Sequence, residues 1–145
     1  LAEKRRPSTP YGAKFSVPYC VAVGMIFGDA GLLQFTEKTL ADDRVIELAH
    51  RVSYVINPED PYPKDYVGWL EVHTKDGVVH HFKQPCMRGG KNQPMTDSDI
   101  KSKFIANCSY GGLKQEDALI AFQSLKLFFS NSDSNADRLF SELPL

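Results

Sequence analysis

Residues 66–83 read Tyr66-Val67-Gly68-Trp69-Leu70-Glu71-Val72-His73-Thr74, then Lys75-Asp76-Gly77, then Val78-Val79-His80-His81-Phe82-Lys83. β-Branched and aromatic side chains fill both flanks, and Asp-Gly is among the strongest short-range turn signals. The stretch therefore predicts an antiparallel hairpin. Its register decides where the histidines point. A two-residue Asp-Gly turn sets His73 opposite His80, whereas a three-residue loop ending in a bulge at Gly77 pairs Val72 with His80 and Leu70 with Phe82. Core packing favours the second, because it keeps Leu70, Val72 and Phe82 on one face.

Helical patterns lie on both sides of the hairpin. Upstream, Ala13-Lys14-Phe15-Ser16-Val17-Pro18-Tyr19-Cys20-Val21-Ala22-Val23-Gly24 opens a buried helix at about 16–27. Ser16 is its N-cap candidate, Pro18 is tolerated in the first turn, and Gly28-Asp29-Ala30-Gly31 ends it. Thr36 and Asp42 are N-cap candidates for two short helices, the second with Val45, Leu48, Ala49 and Val52 on a narrow stripe. Val52–Ile56 reads as a strand, followed by a loop with three prolines at 57–63. Downstream, a Gly-rich loop (Arg88-Gly89-Gly90-Lys91-Asn92-Gln93-Pro94) precedes Thr96-Asp97-Ser98-Asp99, a helix start whose helix ends at Gly111-Gly112. The pattern predicts an α+β fold, a small antiparallel sheet with helices packed on one face in a two-layer sandwich.

After Gly112 the character changes. Leu119, Ile120, Phe122, Leu125, Leu127, Phe128 and Phe129 wrap most of the way round a helix starting near Gln115. One small sheet covers one face of a helix, so these residues look built to pack on something larger. Ser130–Asn135 is a polar break before a last short helix ending near Leu143. We expect residues 1–112 to form one α+β domain and residues 113–145 to return to a helical domain outside this chain. The opening at Leu1, not Met, fits a processed product or a piece cut from a longer polypeptide.

Bulk composition excludes more than it assigns. A 145-residue chain that is 42% hydrophobic and 24% charged has the composition of a soluble globular domain. Its formal charge of −1 argues against a dedicated nucleic-acid binder. The one basic run, Lys4-Arg5-Arg6, sits in a Pro/Ser-containing lead-in and reads as solvated terminal charge. Cys20, Cys86 and Cys108 are odd in number and lack metal-type spacing, which points to free thiols and a cytoplasmic setting. No apolar run reaches the roughly 18 residues a membrane span needs, and no signal peptide is visible.

The best chemical constellation is the mouth of the first buried helix. Lys14, Ser16 and Tyr19 combine a cation, a hydroxyl and a phenol with a positive dipole end and its backbone N–H groups. That setting suits a small polycarboxylate, and the phenol can donate to a leaving group. The competing reading makes Tyr19 a core aromatic with a tethered hydroxyl and Ser16 only a cap. Of His73, His80 and His81 the first two share a face in one register, but no third ligand is well placed and Glu71 is the only help, so no metal site is expected. The Arg88–Asn92 loop can fold round an anion but lacks the Gly-Lys-Ser/Thr ending of a phosphate loop. Cys20 and Cys108 have no adjacent base to activate them.

The chain also resembles the C-terminal part of the MmgE/PrpD family, the 2-methylcitrate dehydratases and their cis-aconitate decarboxylase relatives. The resemblance rests on residues 13–19 with the apolar helix after them, Gly31 followed by Phe35-Thr36, and Leu40 through Val52. Lys75-Asp76-Gly77, Gly90…Pro94-Met95-Thr96 and Lys103-Phe104-Ile105-Ala106-Asn107 extend it over nearly the whole chain. It implies a cofactor-independent lyase acting on small di- and tricarboxylic acids, with a large helical domain, a smaller α+β lid, and the active site between them. It implies a homodimer for the full-length protein and no nucleic-acid or membrane partner. Tyr19 corresponds to a lid tyrosine that faces substrate in the decarboxylase relatives, with Lys14 and Ser16 as neighbours. The family's other catalytic groups fall upstream of Leu1, so the chain alone is expected to be inactive. Decarboxylation or epimerisation within the family, and a non-catalytic module binding a small anion or a protein, are the alternatives.

Overall fold

The structure is a computed structural model and describes residues 2–130. It is α+β, with a two-stranded antiparallel sheet among the described residues and helices before and after it in sequence. The described residues divide into two compact units: residues 2–55 together with 103–130, and Ile56–Ser102. The short helix expected near Leu143 lies outside the described residues.

In the first unit the helix starts after Ser16, Thr36 and Asp42 fall where the sequence puts them. Helices α1 (Ala2–Arg5) and α2 (Pro10–Ala13) precede α3 (Val17–Phe27). Ser16 is extended and its Oγ accepts from Tyr19 N–H at 3.1 Å, which caps α3. The helix ends at Gly28, whose φ of 69° only glycine adopts readily, and its N–H bonds back to Gly24 O at 2.9 Å. A 3₁₀ turn (Leu32–Gln34), α4 (Glu37–Leu40) and α5 (Asp43–Arg51) follow, the last two capped by Thr36 and Asp42 as expected. The core consists of Ala13, Tyr19, Ala22, Val23, Val45 and Ala49, with Ile26, Phe35, Leu40 and Leu48 packed against it. α3 lies against α5, and the alanines on both helices permit close approach.

Two expectations are corrected in this unit. Residues 2–13 hold two short helices, α1 and α2, where the sequence reads as a Pro-containing lead-in, and the basic run is solvated only in part: Lys4 and Arg6 are exposed, while Arg5 is half-buried. Lys4 Nζ donates to Phe15 O at 3.1 Å and Arg5 Nε to Val52 O at 3.2 Å. Val52 O lies at the C-terminal end of α5, where carbonyls lack intrahelical partners and cations are favourable donors. Val52–Ile56 is not a strand. Val52 caps α5, and Val55 and Ile56 are 90% and 92% exposed. Their side chains suit a strand, but among the described residues no neighbouring strand offers them backbone partners.

In the second unit β1 (Gly68–His73) pairs with β2 (Val79–Gln84). Leu70 faces Phe82 and Val72 faces His80, the register that core packing favoured. Thr74 N–H donates to Val78 O at 2.9 Å, and Gly77 N–H to Thr74 O at 3.1 Å with φ of 85° at Gly77. Thr74 Oγ1 also bonds the Asp76 carboxylate, and this hydroxyl holds the Asp76 pKa below its ordinary value.

Helix α6 (Asp97–Tyr110) starts in this unit and ends in the first. Its start is a reciprocal cap: Thr96 Oγ1 accepts from Asp99 N–H at 3.1 Å and Asp99 Oδ2 from Thr96 N–H at 3.0 Å. It stops at Gly112, with Leu113 N–H returning to Cys108 O at 3.0 Å. Helix α7 (Gln115–Ser130) buries Ala118 and Ala121, sets Phe122 5.5 Å from Phe104, and leaves Ile120, Leu127 and Phe129 exposed.

Candidate active site

The helix mouth forms around a tightly bonded Ser16. Its side chain is fully buried, its Oγ accepts from Tyr19 N–H, and it donates to Lys4 O. Ser16 N–H bonds Ala13 O at 3.1 Å and Cys20 N–H bonds Ser16 O at 2.9 Å, while Pro18 has no donor. The mouth therefore presents fewer unoccupied N–H groups than a bare helix start.

Tyr19 is fully buried beside Phe35, with ring centroids 5.8 Å apart, and its hydroxyl donates to Gln34 O at 2.8 Å. Burial, followed by the nearby Cys20 thiol and Asp42 carboxylate, pushes its pKa up to about 12. The phenol is thus held as a proton donor across the physiological range. Lys14 is exposed just outside the mouth. Among the described residues no hydrogen bond joins the Lys14 side chain to Ser16 or Tyr19.

Sequence reasoning missed Gln34 and Asp42 as neighbours of the phenol. Gln34 acts through its backbone carbonyl, which carries no residue identity, and Asp42 was read only as a cap. The Cys20 thiol lies 3.7 Å from Ala13 O, and burial pushes its pKa up, as expected of an inert cysteine.

The raised Tyr19 pKa carries a sign. The folded state disfavours the phenolate, so its contribution is complete below pH 10 and is lost as pH climbs from 10 towards 12. The slope is on the order of 1.4 kcal/mol per pH unit at most. Urea midpoints measured across that range should fall more steeply for the wild type than for Tyr19→Phe. Parallel decline would contradict the burial of this phenol.

The histidines separate. His80 is on the face of Val72, whereas His73 and His81 share the opposite face with Glu71. Glu71 Oε1 is 2.5 Å from His73 Nε2 and Oε2 is 3.2 Å from His81 Nδ1. Among the described residues no group of three or more His, Cys, Asp or Glu is arranged to hold a metal ion. Of the two cations flanking the Gly-rich loop, Arg88 is paired with Asp99 at 2.5 Å. No helix among the described residues is long and apolar enough to cross a membrane.

The MmgE/PrpD C-terminal domain matches residues 1–127, which include the helix mouth, the hairpin and most of α7. The chain belongs to the MmgE/PrpD family. No curated protein sequence matches it.

Proposed function

We propose that this chain is the C-terminal part of a 2-methylcitrate dehydratase-like lyase and forms one wall of its active site. The observation that carries the reading is membership of the MmgE/PrpD family across residues 1–127. Residues 1–112 are the lid in this scheme, and residues 113–145 rejoin a helical domain that precedes the lid in the full-length, homodimeric, cytoplasmic enzyme. The exposed Ile120, Leu127 and Phe129 on α7 supply apolar surface for that domain to cover.

The reaction is removal of a proton next to a carboxylate followed by loss of hydroxide as water. It needs an acid, a base and anion binding, with no cofactor. The base comes from the helical domain. Tyr19, kept protonated by burial, turns from Gln34 O to the departing hydroxyl and donates to it the hydrogen bond or the proton with which it leaves as water. The exposed Lys14 and the positive dipole end of α3 hold a substrate carboxylate, with Ser16 as the cap that fixes that helix start. Closing of the lid over the helical domain excludes water and strengthens these interactions.

The test is turnover of 2-methylcitrate and of cis-aconitate by the chain alone and by the chain continuous with its upstream helical domain. Release of CO2 would make the enzyme a decarboxylase, and no turnover of either acid would favour an anion- or protein-binding module.

A further inference from the structure

The second unit holds an open depression of about 230 Å³ where the segment leading into β1 meets the loop after β2. Lys64, Asp65 and Tyr66 line one side, and Gly90, Lys91 and Asn92 line the other. This is below the ~300–1,000 Å³ of drug-sized sites, a scale that suits a small ion.

Two lysines and one carboxylate-bearing residue are among those that line the depression. Asp65 turns its carboxylate to Tyr66 N–H at 2.8 Å. Lys64 and Lys91 take part in no ion pair among the described residues. The loop that carries Lys91 is closed on itself. Gly89 N–H bonds Gln93 O at 2.7 Å, Gly90 N–H bonds Met87 O at 3.1 Å, and Gln93 N–H bonds Gly90 O at 3.1 Å. Gln84 Nε2 adds a bond to Cys86 O at 2.8 Å and another to the Gln93 side chain. Lys91 and Asn92 therefore stand at the tip of an ordered turn, with the second ammonium supplied by a separate segment.

We propose that Lys64, Lys91 and Asn92 bind a small polyanion, a phosphate or a di- or tricarboxylate. Two ammonium groups against the single carboxylate of Asp65 leave one positive charge in excess, and the Asn92 amide adds a neutral donor. The site is in a different unit from Tyr19 and stands whether or not the lyase reading holds.

The experiment is amide NMR of the whole chain during separate titrations with sodium phosphate and sodium citrate, with sodium chloride at matched ionic strength. Saturable shifts at Tyr66, Gly90, Lys91 and Asn92 are expected, and the tighter of the two anions identifies the ligand class. The double variant Lys64→Gln, Lys91→Gln should bind about tenfold or more weakly, and Lys64→Arg, Lys91→Arg within about threefold. The Trp69 and His81 amides report that the hairpin is intact in each variant. Shifts that follow ionic strength alone, or undiminished binding by the glutamine variant, would overturn the site. Neither result touches Tyr19, so failure here is distinguishable from failure of the lyase reading.

Discussion

Replacing Tyr19 by phenylalanine in the full-length protein should lower kcat/KM for dehydration about tenfold or more, chiefly through kcat. The proposed hydrogen bond to the departing hydroxyl strengthens as negative charge develops there, so its loss weighs on the transition state more than on binding. The same substitution removes the phenol's bond to Gln34 O, at a cost of about 1 kcal/mol in stability. Rates are therefore to be compared at equal folded fraction. A variant within about twofold of wild type would leave Tyr19 as a core aromatic whose hydroxyl is tethered and nothing more.

The second large effect is on folding. Ala22 is fully buried between α3 and α5, and Ala22→Asp places a carboxylate there with no partner. Burying an unpaired charge costs several kcal/mol, a large part of the roughly 5–15 kcal/mol that holds a domain together. Val17→Asp, on the same helix, should be tolerated or slightly stabilising. Val17 is 55% exposed and occupies the first position of α3, where an acidic side chain complements the helix dipole. Urea denaturation followed by circular dichroism compares the two directly. Equal losses would mean that α3 does not bury the face assigned to it.

What was legible in the sequence was local. Ser16, Thr36, Asp42 and Thr96 cap helices through bonds to groups two or three residues away, so residue type and spacing were enough. The hairpin register followed from requiring Leu70, Val72 and Phe82 on one face and a glycine at the positive-φ position. What was missed depends on distant or anonymous partners. The carbonyls that accept from Arg5 and Tyr19 belong to Val52 and Gln34, and any residue supplies a carbonyl. Val52–Ile56 carried strand propensity without a strand to pair with, and propensity cannot report that absence. Because α3 is apolar on nearly every side, its pattern could not say which face Tyr19 and Ala22 would occupy. The Lys64–Lys91 depression joins two segments separated by the whole hairpin, and only the fold brings them together.

The central claim is that this chain carries one wall of a lyase active site and that a helical domain carries the other. Turnover of 2-methylcitrate, followed by alkene absorbance and by CO2 release, tests it on the chain alone and on the chain continuous with its upstream helical domain. The expected result is no turnover by the chain alone and dehydration without CO2 release by the continuous protein. Turnover by the chain alone, or a continuous protein that is folded yet dehydrates no di- or tricarboxylic acid, would contradict it.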